Sequence, residues 1–185
     1  MSNVRFEIHA IPTAQVGIDS QCLSYAIDAF AGISTPKDSL ASQRIALTRL
    51  FFYLPGTLWV TPTVTAECAQ IRNIERADLH ASFIRVLFGE IPLNSPHSIT
   101  ARASLLQKHH RGVNDCTIVA EAEDVGHTVL LTFDSDLGRH LAPHTSVRLL
   151  QPLEYWNLLA IPLGSKPDKV PHPTNPLASQ DWWRW

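Results

Sequence analysis

The stretch from Asn114 to Leu137, NDCTIVAEAEDVGHTVLLTFDSDL, constrains the fold more than any other part of this chain. Ile118, Val119, Ala122 and Val125 recur at helical spacing behind Asn114 and Asp115, either of which suits a helix N-cap, and Gly126 supplies a stop. His127 to Phe133 is then an apolar, β-branched run without polar alternation, the pattern of a central parallel strand covered on both faces. Asp134 and Asp136 fall where that strand ends, and the carboxyl ends of strands are where open α/β sheets bind ligands. Asp115 and Asp134 stand 19 residues apart. One helix and its return strand can therefore bring them to the same edge of a sheet.

The other segments repeat this alternation. A lead-in, Met1 to Ala14, precedes a small apolar strand, Gln15 to Ile18, closed by Asp19. Ser20 to Phe30 follows as a helix with Leu23, Ala26, Ile27 and Phe30 on one face, and Asp19 suits its N-cap. Gly32 to Pro36 breaks the chain, Asp38 to Leu54 reads as a second helix, and Pro55-Gly56 turns it. Thr57 to Val64 is a strand that Pro62 limits to an edge or an end. A helix carrying Glu67 comes next, and no Ser or Thr stands three residues before that glutamate to make it half of a capping box, so it reads as a first-turn acid or a functional one. Arg72 to Phe88 and Thr100 to Arg111 are further helices, separated by a loop at Pro92 to Pro96. Leu137 to Leu141 is a short helix, Ser146 to Leu150 a last strand and Pro152 to Leu159 a last helix. Strand and helix in alternation imply a three-layer α/β/α sandwich with a central, mostly parallel sheet.

Composition narrows the function classes. With 185 residues, of which 45% are hydrophobic, the chain can bury the core of one globular domain, taken as 1–161 with an appended tail, 162–185. A net charge of −2, from 15 basic and 17 acidic side chains, gives no global positive field, so nucleic-acid binding requires a local patch. Three cysteines without CxxC spacing argue against a disulfide framework or a structural zinc site and suit a reducing cytoplasm. Each lies near an acid, but a free cysteine commonly packs as a small hydrophobe. No run of about 18 apolar residues is present to span a bilayer. The nine histidines lack metal spacing and read as surface residues.

Acids thus fall after two strands, as Asp19 and as Asp134 with Asp136, and at two helices, as Glu67 and Asp115. In a chain with only 17% charged residues this set suggests a shared pocket, because gathered like charges are costly unless a cation neutralises them. IDSQCLSYAIDAF, TPTVTAEC, NDCTIVAEAEDVG and LLTFDSDL resemble the four acidic motifs of PIN-domain nucleases, a group that includes the VapC-type toxins of toxin–antitoxin pairs. The resemblance covers roughly Val16 to Leu150. It implies that Asp19, Glu67, Asp115 and Asp134 are catalytic and converge on Mg²⁺ or Mn²⁺, with Asp136 as an auxiliary ligand and the Thr132 hydroxyl orienting Asp134. Carboxylate oxygens are hard donors suited to these ions, which also bind phosphate oxygens. The activity implied is metal-dependent hydrolysis of RNA, leaving a 5′ phosphate and a 3′ hydroxyl, in a cytoplasmic protein that forms a homodimer and has an antitoxin as partner. Lys108 and Arg111, in the basic run KHHR, and Arg139 are the residues placed to hold the RNA backbone.

Three other functions compete. FDSDLG mimics the D-x-D loop of haloacid-dehalogenase-like phosphatases, but too few residues follow it for the remaining machinery. A PIN-like fold without activity could serve as an RNA- or protein-binding module. A nucleotide-binding α/β protein would need a Gly-rich phosphate loop, and none is present. In the tail, five prolines preclude regular structure at first, and Asp181-Trp182-Trp183-Arg184-Trp185 ends it. Such an apolar end is expected to dock on the core, a second subunit or a partner, or to stack on bases.

Overall fold

A computed structural model describes residues 15–31 and 36–185. The lead-in over 1–14 and the break over 32–35 lie outside the described residues. The order is β1 (Val16–Ile18), α1 (Ser20–Phe30), α2 (Ala41–Tyr53), β2 (Trp59–Val60), α3 (Pro62–Cys68), α4 (Ile74–Leu87), β3 (Gly89–Glu90), α5 (Pro96–Leu106), α6 (Val113–Asp124), β4 (Val129–Leu131), α7 (Ser135–Leu141), β5 (Arg148–Leu150) and α8 (Pro152–Leu158). The five strands form one all-parallel sheet ordered β3-β2-β1-β4-β5, flanked by the eight helices in a three-layer sandwich.

This order follows from burial. Val16, Ile18, Val129, Leu130 and Leu131 are all buried, so β1 and β4 need cover on both faces and take the middle of the sheet. They pair in the register Val16 to Val129, Gly17 to Leu130 and Ile18 to Leu131. After β1 the chain winds outward through β2 and β3, then returns to add β4 and β5 on the other side. The winding reverses between β1 and β4, and their carboxyl ends open a crevice there.

Several boundaries differ from the sequence expectation for local reasons. Pro62 ends nothing within a strand; it opens α3 at a position where its missing N–H costs no hydrogen bond. Glu67 consequently stands in the last turn of α3, not the first. Pro96 opens α5 in the same way, and α5 ends at Leu106, so Lys108 to Arg111 occupy the link to α6. The N-cap of α6 is Gly112, which frees Asn114 and Asp115 for other partners. Gly126 does stop the segment after α6, with φ of 78°.

The tail docks on the core. Trp183 is 0% exposed, stacks on Phe52 with ring centroids 4.5 Å apart, and donates from Nε1 to the Leu177 carbonyl. Trp185 donates from Nε1 to the Ile161 carbonyl and from its backbone N–H to the Tyr53 hydroxyl, while Arg49 reaches the carbonyls of Trp183 and Arg184. An aromatic side chain buries roughly 150–250 Å², worth at most about 4–6 kcal/mol of transfer free energy. Trp183 is thus part of the core and is not available for base stacking. Among the described residues, no helix is long and apolar enough to cross a membrane.

Candidate metal centre at the carboxyl edge

Asp19 directly follows β1 and caps α1, its Oδ1 accepting the Cys22 N–H at 2.6 Å. It is 8% exposed, and burial raises its pKa from 3.8 to about 6. Hydrogen bonds from the Thr132 hydroxyl and the Cys22 N–H act against that rise, and the nearby charge of Asp115 adds to it. The cap expected from sequence and the buried acid of the crevice are therefore the same group.

Two residues beyond Thr132, Asp134 caps α7, with Oδ1 accepting the N–H groups of Asp136 at 2.7 Å and Leu137 at 3.1 Å. The Asp134 N–H in turn donates to Thr132 Oγ1 at 2.9 Å. Thr132 thus holds Asp134 from one side and Asp19 from the other. With Oδ1 of Asp134 engaged twice, Oδ2 is the oxygen left for a ligand.

Asp115 lies in the first turn of α6, where the helix dipole favours a carboxylate. Its Oδ2 stands 3.0 Å from Nε2 of His110. His110, Asp115 and Asp134 each bring a ligand atom to within 4.8 Å of the others, the spacing of a shared cation. The sequence places His110 in the basic run KHHR and not with the acids, because it lies five positions before Asp115 across a turn and not along a helix face. The signal that could have found it is the intervening Gly112: a Cβ there would overlap Asp115 Oδ2 and come within 2.9 Å of His110 Nε2.

The remaining expected residues sit around this cluster. Glu67 reaches the start of α6, where its Oε1 accepts a 2.6 Å hydrogen bond from Asn114 Nδ2, next to Asp115 and outside the His110–Asp115–Asp134 cluster. The Asp136 carboxylate pairs with Arg139 at 3.0 Å on the exposed side of α7 and lies outside the His110–Asp115–Asp134 cluster. Lys108 and Arg111 are exposed on the link into α6. Arg139 also lines a cleft of about 260 Å³ with Thr132, Asp134, Gln151 and Glu154. A second cleft, of about 370 Å³, lies beyond Asp19 and is lined by Ser20, Gln21, Ser24, Tyr25 and Glu67 among others. Asp134 lines the first of these clefts and Glu67 the second.

All three cysteines are buried, and burial raises the pKa of each thiol, to about 11 for Cys68; this is the packing role expected of them. The histidines divide differently from expectation. His80 and His127 are buried without hydrogen-bond partners, and His110 is mostly buried in the cluster.

Fold and site together define a doubly wound α/β protein with a carboxylate and imidazole cluster at the point where its winding reverses. No protein-family model and no curated protein matches the chain.

Proposed function

We propose that this protein binds a divalent cation at the carboxyl edge of its sheet and hydrolyses phosphodiester bonds in RNA, as the resemblance to PIN-domain nucleases implies. The observation that carries the reading is the convergence of Asp115, Asp134 and His110 beside the buried Asp19, from three separate segments of the chain. Acids gathered this close repel one another, and the donor set fits Mg²⁺ or Mn²⁺. Asp115 and Asp134 would hold the ion, with Asp19 and Glu67 close enough to complete its surroundings through water. When bound, the ion supplies an activated water and a counter-charge for phosphate oxygens.

The chain's own groups supply orientation. Thr132 and the α7 N-terminus fix the Asp134 carboxylate, and Asn114 fixes Glu67. The two clefts flanking the acids give a strand of nucleic acid a path across the edge, with Arg139 on one side and Lys108 and Arg111 on the link above α6 to contact phosphates. A cytoplasmic setting suits three free, buried thiols. A homodimer and a neutralising antitoxin belong to the same reading.

Asp115→Asn tests it. Cleavage of single-stranded RNA in Mn²⁺ should fall by at least about 100-fold, beyond the usual 10–100-fold cost of losing a group that only supports a ligand. The circular dichroism spectrum should not change. Full activity in this variant overturns the proposal, and cation binding without cleavage in the unaltered protein would leave a binding module.

A further inference from the structure

We infer that His110 is a nitrogen ligand of the cation site, which makes the site selective for Mn²⁺ and later transition ions over Mg²⁺. The inference rests on the cation site proposed above and goes beyond the all-carboxylate set that the resemblance implies.

Three observations carry it. The first is placement. The His110 side chain is 10% exposed, its backbone N–H donates to the Leu106 carbonyl at 3.1 Å, and its carbonyl accepts the Cys116 thiol at 3.5 Å. The imidazole is presented by a segment anchored at both backbone groups, unlike a surface histidine free to swing away. The second is distance. Around an ion with ligands at about 2.1 Å, neighbouring octahedral positions stand about 3.0 Å apart and opposite ones about 4.2 Å. Nε2 of His110 shares a hydrogen bond with Oδ2 of Asp115 at 3.0 Å, which is also the separation of neighbouring ligands, and the whole trio spans no more than 4.8 Å, so an ion that displaces the shared proton needs only small side-chain rotations to close the set. The third is the cradle. Gly112 leaves open the space between the imidazole and the carboxylate that any Cβ would fill. Its φ of −69° is open to every residue, so conformation does not require a glycine there. Room for the two ligands does.

Ligand chemistry then sets the preference. Mg²⁺ favours oxygen donors and gives up water reluctantly, whereas imidazole suits the transition ions, with affinity rising from Mn²⁺ through Co²⁺ and Ni²⁺. An imidazole beside two carboxylates binds Mn²⁺ through three protein groups, while Mg²⁺ gains little from the nitrogen.

The test uses the full chain freed of metal with a chelator, then titrated with MnCl₂ or MgCl₂. Pulsed electron paramagnetic resonance of the Mn²⁺ complex should show modulation from a directly bound imidazole nitrogen, and thermal denaturation should saturate with Mn²⁺ at a concentration at least about tenfold below that needed for Mg²⁺. His110→Gln keeps a polar partner for Asp115 but removes the nitrogen donor. It should lose the nitrogen modulation and most of the Mn²⁺ advantage, with the Mg²⁺ response little changed. Mn²⁺ bound in the unaltered protein with oxygen-only coupling would reduce His110 to a group that orients Asp115 and overturn this inference alone. No thermal shift with either ion would overturn the cation site and this inference with it. The spectrum of the unaltered protein decides the matter even where the variant fails to fold.

Discussion

The two edges of the sheet bury titratable groups in opposite ways. At the carboxyl edge, Asp19 is buried among hydrogen-bond donors and near other acids, and its pKa rises to about 6. At the amino edge, where β4 begins, His127 is buried against Gly17 with both ring nitrogens unpartnered, and burial alone lowers its pKa to about 4. One edge gathers several carboxylates around Asp19, with Asp115 paired to His110. The other holds a side chain that never needs to be charged. The first edge holds a polar cluster and the second a packed side chain, although a histidine and an aspartate at strand ends look equally suggestive in the sequence.

The largest expected effect on this contrast comes from Gly112→Ala. The added methyl must displace the end of the Asp115 side chain, a flexible group, so the metal-free protein should melt within a few degrees of the original. Its affinity for Mn²⁺, read from the thermal shift, should fall by about 10–100-fold, the scale of losing ligand orientation. Unchanged Mn²⁺ stabilisation in this variant would mean that the carboxyl edge is no more a ligand site than the amino edge.

Gly17→Ala does the reverse. A Cβ there would meet His127 Nδ1 at 2.5 Å and Leu130 Cδ1 at 3.3 Å, within the central strand pair. Overpacking of this kind costs about 1–3 kcal/mol, visible in urea denaturation, while the cation response of the folded protein should persist. Loss of that response at full stability would break the separation between the edges.

The smallest effects are in pH dependence, and their signs oppose. Folded Asp19 keeps a proton that the unfolded chain releases above pH 3.8, so its contribution to stability is present below that value and is lost as pH rises to about 6. Unfolded His127 takes up a proton near 6.5 that the folded ring refuses down to about 4, so its contribution is present above 6.5 and is lost as pH falls through that window. In the unaltered protein the two slopes partly cancel. Metal-free Asp19→Asn, which keeps the helix cap, should show stability rising more steeply between pH 4 and 6. His127→Phe should show it falling across the same interval. Identical pH profiles for both variants would contradict the opposite burial of these groups.

Much of this was legible in the chain. The apolar run around Val129 has the pattern of a central parallel strand and that around Val16 of a short apolar strand, and acids directly behind two parallel strands fall at one edge of the sheet. β3 was not legible, because two residues, Gly89 and Glu90, carry no periodicity, and a neighbouring strand alone defines them. The starts of α3 and α5 were hidden by prolines, which signal a strand limit or loop as readily as a first helical turn. Asp136 pairs with Arg139 along α7, a contact three residues apart that the sequence pattern of acids does not reveal. The approach of His110 to Asp115 has no sequence signature, because loops have no spacing rule; only the missing Cβ of Gly112 hints that two polar groups meet there.

The pairing of β1 with β4 has a consequence in time. Residues 16–18 hydrogen-bond to 129–131, across a loop of more than a hundred residues whose closure is slow and entropically unfavourable. During synthesis the first strand emerges long before its neighbour. An interrupted chain ending before Val129 would leave one side of β1 unpaired and sticky and carry Asp19 with no companion from Asp134. Competence to cut, on the function proposed here, would arise in a single late step, when the molecule is already nearly whole.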